Sequence, residues 1–348
     1  MQIRRSILAV LAAVLLVAAT GCASSEERAT GSAEVIRLGV FPNLTHAPAY
    51  VALEAGIFDE VLAPARVEVT YFNSGSDAGT ALLGGSIDAT YIGPGPSSSL
   101  FLASGDVAVV SGVTAGGASF VVRNGAGIET PADLSGKRLA VPGVGNTQDV
   151  ALRTWLRSQG LDANDAGGDV NVAAVDNKTL VQLFEQGALD GAWEPEPWPT
   201  ILESAGLATR FVDEATLWPD GLFVTTNLLV NTTYADAHPD LVRKLVEANV
   251  RAIRFIQEDP VAAKAAAQAG LAMAGAPSLD QAVVDAAWDR LTFTWNPVAV
   301  SLADGAKNAY DLGFLDTDPT GILAIYRLDD LNALLAELGE DPVEVPTA

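Results

Sequence analysis

The chain has 348 residues, 49% hydrophobic and 18% charged, a globular composition with enough length for two sizeable cores. One Cys excludes an internal disulfide and a cysteine-based metal cluster, and two His are too few for a multi-histidine metal site. With 20 Lys+Arg against 43 Asp+Glu the net charge is −23, which argues against nucleic acid as a partner and leaves any pocket's preference to local dipoles.

The first segment reads as an address. Arg4 and Arg5 precede an apolar run over 7–19, and Thr20-Gly21-Cys22 follows. A charged start, a short apolar stretch and small residues at its end make a secretory signal over 1–21. The run falls short of the ~20 residues of a membrane span. The sole Cys, directly after Gly21, resembles the bacterial lipobox. That resemblance implies lipidation of Cys22 and export to the outer face of the cytoplasmic membrane, held there by the lipid anchor. Residues 22–34 are small and polar and read as a tether.

Beyond the tether, strands and helices alternate. The pattern predicts strands over 35–41, 66–72, 89–92 and 107–113, with helices over 47–55, 77–83 and 97–103 between them. Four strands with three crossover helices call for a parallel sheet flanked by helices. The alternation restarts with strands over 120–123, 138–141, 170–175 and 191–193. Helices over 131–134, 150–156 and 179–186 separate them, and another strand lies over 223–230. From His238 the chain is mostly helical and Ala-rich, with Pro239 in a first helical turn. Two α/β units in series predict two lobes with a cleft between them.

Several stretches in this order resemble the nitrate/sulfonate/taurine branch of ABC-transporter solute-binding proteins. They are Leu38-Gly39-Val40, Glu54-Ala55-Gly56-Ile57-Phe58, Gly84-Gly85-Ser86-Ile87-Asp88-Ala89 and Gly93-Pro94-Gly95-Pro96. Further on come Asp133-Leu134-Ser135-Gly136-Lys137, Gly145-Asn146-Thr147-Gln148-Asp149, Asp190-Gly191-Ala192-Trp193 and His238-Pro239-Asp240. The resemblance implies a two-lobed type II periplasmic-binding fold, each lobe a mostly parallel sheet flanked by helices, with a helical C-terminal region. It implies that lobe 1 comprises 35–120 and 225–348, and that 121–224 form an inserted lobe 2. It also implies a monomer that delivers a small ligand to a membrane permease and its ATPase, with no cofactor.

The helix starts carry the binding chemistry. Asn146 and Thr147, with Gln148 and Asp149 behind them, follow a strand and a glycine loop and open a helix. Free N–H groups at such a start bind an anion without a basic side chain. Ser74-Gly75-Ser76, Thr45-His46 and Gly93 with Gly95 stand at three further strand-to-helix turns, where open α/β sheets bind ligands. An ordinary capped turn is the alternative at each of them. The resemblance adds Trp193 and Glu194 at the cleft mouth, on a turn that also holds Glu196, Pro197 and Trp198. Aromatic residues there suit an organic anion, so an aliphatic sulfonate or taurine leads, with nitrate, bicarbonate or a thiamine-precursor pyrimidine as alternatives. Asp149 and Glu194 oppose an anion if they face it. An enzyme on the same fold is the alternative from another class. The sequence holds no nucleophile elbow, phosphate loop or zinc motif, so a non-enzymatic carrier is expected.

Overall fold

The computed structural model describes residues 34–346, so the signal segment, Cys22 and the tether up to residue 33 lie outside the described residues. Eleven strands form two sheets. They are β1 (Val35–Val40), β2 (Arg66–Tyr71), β3 (Ala89–Ile92), β4 (Val107–Gly116), β5 (Ala118–Arg123), β6 (Arg138–Val141), β7 (Asn171–Ala174), β8 (Gly191–Pro195), β9 (Ala208–Asp213), β10 (Val224–Asn231) and β11 (Leu291–Phe293). The helices of the first part are α1 (Ala47–Glu54), α2 (Ile57–Leu62), α3 (Gly75–Leu83), α4 (Pro94–Ser104), α5 (Thr147–Ser158), α6 (Asn177–Glu185) and α7 (Trp198–Ser204). After β10 come α8 (Thr232–Ala237), α9 (Pro239–Glu258), α10 (Pro260–Met273), α11 (Gln281–Trp288), α12 (Ala299–Asp311) and α13 (Asp329–Leu338).

The first lobe is built on a six-stranded sheet ordered β11-β4-β10-β3-β1-β2, the second on a five-stranded sheet ordered β7-β6-β8-β5-β9. As expected, most strands of each sheet share a direction: β1, β2, β3 and β4 run one way against β10 and β11, and β6, β7, β8 and β9 run one way against β5. The strands β1, β2 and β3 pair in parallel, but β10 lies antiparallel between β3 and β4, and β11 is antiparallel to β4. In the second sheet β6 pairs in parallel with β7 and β8, while β5 is antiparallel to both β8 and β9. The reason is connectivity. The chain leaves one sheet at the end of β4 and returns at the start of β10, and it makes each passage without a crossover helix, so the direction reverses.

The outward passage is a tight one. Gly116 and Gly117 both have positive φ, at 75° and 72°, and a Cβ on Gly117 would stand 2.1 Å from Leu291 Cδ2. Only glycine fits there. Each sheet is covered on both faces. One core holds Leu38, Val40, Tyr50 and Tyr91 against Leu245, Ile253 and Leu271 of α9 and α10. A second sets Ile92 and Leu229 against Leu82, Leu302 and Ala306. In the smaller sheet Phe120, Val141 and Trp193 pack on Leu152 and Trp155 of α5, and Val121 and Ala192 pack on Leu180, Phe184 and Trp198. The apolar stripe Leu241, Leu245, Ala248, Ala252, Ile256 explains why α9 is buried along one side. Its one buried amide, Asn249, is fully satisfied: Tyr91 Oη donates to it, and its Nδ2 donates to Ser111 Oγ and the Gly112 carbonyl.

Candidate ligand-binding site

A cavity opens between the two sheets at the carboxyl ends of their strands, where open α/β sheets hold ligands. It is lined from one side by Phe41, Pro42, Asn43, Thr45, His46, Asn73, Ser74, Gly75, Gly93, Pro96 and Thr225, and from the other by Pro142, Asn146, Thr147, Gln148, Asp176, Asn177 and Pro195. The space open to the centres of water-sized molecules is about 50 Å³, room for a ligand of a few heavy atoms.

The starts of α1, α3, α4, α5 and α6 converge on this cavity. Among the described residues that line it, none is Lys or Arg. The first N–H groups of α5 have no side-chain cap, because Asn146 makes no capping bond. By contrast Ser74 Oγ accepts from Asp77 N at 3.3 Å, and Asp176 accepts from Lys178 N at 2.9 Å. The cavity therefore meets the uncapped start of α5, with a positive dipole end and unpaired donors, and beside it the start of α4, which has no free N–H: Pro94 and Pro96 carry none, Gly95 N donates to Thr147 Oγ1 and Ser97 N to the Gly93 carbonyl. His46 is 3% exposed and packs on the Phe41 ring at 5.0 Å. Burial lowers its imidazole to about 3, so it is neutral at pH 7 with Nδ1 unpartnered.

Contacts between the lobes frame the cavity on two sides. Gly95 N donates to Thr147 Oγ1 at 3.1 Å, and Cβ atoms on Gly93 or Gly95 would stand 2.6 Å from Thr147 Oγ1 or 2.8 Å from Thr147 N. Elsewhere Leu44 N donates to the Glu196 carbonyl at 2.9 Å, and Trp198 Nε1 donates to Asn43 Oδ1 at 2.8 Å.

Of the residues singled out in the sequence, Thr45, His46, Ser74, Gly75, Gly93, Asn146, Thr147 and Gln148 line the cavity. Ser76, Gly95, Trp193 and Glu194 do not. Ser76 sits in the first turn of α3, and Gly95 is spent on the contact with Thr147. Trp193 and Glu194 are not on a turn, as expected, but on β8, which runs to Pro195. A proline is tolerated there because the parallel partner β6 pairs only with Gly191 and Ala192. Trp193 stacks on Phe120 at 5.7 Å inside the core, and its Nε1 donates to Glu214 at 2.7 Å. No Trp is among the described lining residues of the cavity, so the aromatic contribution that Trp193 was expected to make is not there. Asp149 is turned away from the cavity, accepting from Gly145 N at 2.8 Å and Arg153 Nε at 2.6 Å. Arg153 also lies over the Phe314 ring, and Arg123 pairs with Asp190, so both arginines are structural. The sequence reading missed Asn43, Asp176 and Asn177. Asp176-Asn177 carried the same strand-to-helix signal as Asn146-Thr147.

The chain is similar to known proteins in sequence and in fold. The taurine-binding periplasmic protein of Escherichia coli (strain K12) is 24% identical over 225 residues, 63% of this chain and 66% of that protein. A relative in Brucella abortus (strain 2308) is 29% identical over 212 residues, 60% of this chain and 63% of its own length. The chain thus spans just under two thirds of the length of these curated relatives. Among solved structures, the alkanesulfonate-binding protein of Xanthomonas axonopodis pv. citri, bound to MOPS, superposes with a TM-score of 0.67 at 21% identity, covering 81% of this chain and 94% of that one. The periplasmic nitrate-binding protein of Synechocystis PCC 6803 superposes with a TM-score of 0.72 at 17% identity, covering 88% and 89%. The two-lobed periplasmic-binding fold is therefore the fold of this protein. The model of the NMT1-like family matches residues 29–272, well over half of the sequence, and the chain belongs to that family.

Proposed function

We propose that this protein is the solute-binding component of an ABC import system and carries a small anion, an aliphatic sulfonate or taurine, to a membrane permease and its ATPase. The observation that carries this reading is the uncapped start of α5 facing a cavity whose described lining holds no cationic side chain. Anions bind such starts through N–H groups and the helix dipole. The names of the E. coli and Xanthomonas relatives support the same ligand class. Ligand contacts to both lobes favour the closed arrangement, which the permease then reads. The cavity's small volume favours a second reading within the same role, nitrate or bicarbonate.

We read the protein as a carrier and not a catalyst. Glu194 and Glu196 are not a pair opposed across a substrate, since Arg210 binds Glu196 at 3.0 Å and Glu194 has no partner. Export as a monomeric lipoprotein, anchored through Cys22, completes the proposal. Residues 35–120 and 225–348 act as one lobe and 121–224 as the other.

Titration calorimetry with alkanesulfonates, taurine, nitrate and bicarbonate tests the ligand class. Binding of at least one, lost on replacing Asn146-Thr147 by Pro-Pro so that α5 loses a donor at its start, is the expected outcome. Undiminished binding by that variant refutes the helix-start site. Cys22→Ser tests the anchor, with release of the protein from the membrane fraction expected.

A further inference from the structure

The helix α5 presents two faces. Leu152, Trp155 and Leu156 pack on the second sheet. Val150, Arg153 and Arg157, at i, i+3 and i+7, share the opposite face. That face meets α12 of the first lobe, where Val150 is buried in one cluster with Leu302, Ala306 and Ala309. The two arginines reach the C-terminal turn of α12. Arg157 Nη1 donates to the Asp311 carbonyl at 3.0 Å, at the negative end of the α12 dipole. The Arg153 guanidinium lies 5.3 Å from the centre of the Phe314 ring, a cation–π contact.

This contact is tied to the helix start that the cavity uses. Asp149 accepts from Gly145 N at 2.8 Å and from Arg153 Nε at 2.6 Å, and Asp165 accepts from Arg153 Nη1 at 2.6 Å. The guanidinium and the glycine loop are thereby fixed as one body. Phe314 rests on both, since a Cβ on Gly145 would stand 3.4 Å from Phe314 Cδ1. The next residue, Asn146, lines the cavity, whereas Gly145, Arg153, Arg157, Asp311 and Phe314 do not. The contacts of Gly95 with Thr147 and of Trp198 with Asn43 each use a lining residue, so the α12 contact differs from them in standing wholly outside the cavity.

We infer that the C-terminal turn of α12, Asp311 to Phe314, is a clasp that holds α5 in the closed arrangement, with Arg157 and Phe314 as positioning residues that set how tightly a ligand is kept. This rests on the closure reading above and extends it to residues that line no part of the cavity. A contact made only in the closed arrangement raises its population, and the apparent dissociation constant falls by that factor whatever the ligand. A cavity residue changes each ligand's affinity by its own amount, which tells the two kinds of residue apart.

The test uses the full chain purified in detergent, titrated calorimetrically with taurine, ethanesulfonate and nitrate. Phe314→Ala and Arg157→Gln are each expected to weaken every probe that binds by a common factor of about three- to tenfold. Phe314→Tyr keeps the ring and should restore the affinity. Arg157→Gln should leave the urea midpoint in place, since that side chain is 41% exposed. Unchanged affinity in both variants, or factors that differ from probe to probe, overturns the clasp. A second measurement needs no ligand. A Cβ on Gly145 would stand 4.0 Å from Phe314 Cβ, within the span of a disulfide. Oxidation of Gly145→Cys with Phe314→Cys fixes the contact, with peptide mass mapping reporting the link, and Phe314→Ala with Arg157→Gln removes it. Neutron scattering, with the detergent contrast-matched, is expected to give the oxidised chain the smaller radius of gyration, and equal radii overturn the clasp. Should the cysteine pair fail to fold, the affinities decide. Heat from none of the probes overturns the proposed ligand class instead, and scattering then decides the clasp alone.

Discussion

Glu214 opens the segment by which the chain returns from β9 to β10, and replacing it by Gln should tilt the pH dependence of stability. The carboxyl is 2% exposed, and its two oxygens accept from Trp193 Nε1 at 2.7 Å and Trp218 Nε1 at 3.3 Å. Burial pushes it up to about 7, with the Asp213 charge adding to this and the two indole N–H groups opposing it. Below the ordinary carboxyl value of 4.5 both folded and unfolded chains are protonated here, and the full stability is present. Between 4.5 and about 7 only the unfolded chain ionises, so stability falls as pH rises and levels off above 7. At about 1.4 kcal/mol per pH unit the loss is about 3 kcal/mol. Gln does not titrate, but its amide accepts from only one indole, a loss of about 1 kcal/mol. The variant should thus be slightly less stable than the natural chain near pH 4.5 and about 2 kcal/mol more stable near pH 8.5. Urea unfolding followed by tryptophan emission across this range gives the difference directly. A difference that stays constant with pH refutes the assignment of Glu214 as a buried neutral acid.

Three further outcomes follow from contacts described above. Gly95→Ala places a Cβ 2.8 Å from Thr147 N, an overpacking of about 1–3 kcal/mol that parting α4 from α5 relieves. Ligand affinity should fall about tenfold or more while the urea midpoint changes little, and an unchanged Kd by calorimetry argues against closure at this contact. Asp190 takes Arg123 Nη2 at 3.1 Å and Arg138 Nε at 3.0 Å. Burial raises its carboxyl, but Arg138, the Arg138 backbone N–H and Arg123 outweigh this and hold it at about 2. That stability is present above 3.8 and lost as pH falls through 2, so Asp190→Asn should cost about 2 kcal/mol at neutral pH, measured as a lower urea midpoint, and less in acid. His46 is held neutral by burial, at about 3 against 6.5 unfolded. Stability should fall as pH drops from 6.5 towards 3, by about 1.4 kcal/mol per pH unit, and His46→Gln should remove that slope. Parallel pH profiles for the two proteins count against a buried neutral imidazole.

Local chemistry was legible in the sequence where a turn has its own signature. Gly93, Ser74 and Asn146 could be read as strand-to-helix turns because the glycine or polar cap follows an apolar strand directly. Gly93 and Ser74 reach one cavity because β2 and β3 both run parallel to β1; Asn146 comes to it from β6 of the other sheet. Partners were not legible. Periodicity marks 223–230 as a strand but carries nothing about β10 entering antiparallel between β3 and β4. The strand β9 was missed because Ala208, Thr209 and Arg210 break its apolar alternation, and Arg210 is there to bind Glu196 and Glu203. The Trp193–Trp198 segment misled because prolines suggest a turn. What decides Trp193 is which face of β8 it occupies: Ala192 faces α6 and α7, so Trp193 must face α5.

An anion cavity in a chain of net charge −23 is no contradiction, because field orientation and not total charge governs a desolvated site. Surface carboxylates more than ~8 Å away are largely screened at physiological salt, whereas N–H groups lining the cavity act at contact distance. The carboxyls near the cavity are each placed in a different way. Asp149 is turned onto Gly145 N and Arg153. Asp176 spends one oxygen on the first turn of α6. Burial pushes the Glu194 carboxyl well above its ordinary value, against its ionisation. The same acidity that does not reach the cavity floor does act on approach, slowing an incoming anion and drawing no cation past the N–H groups.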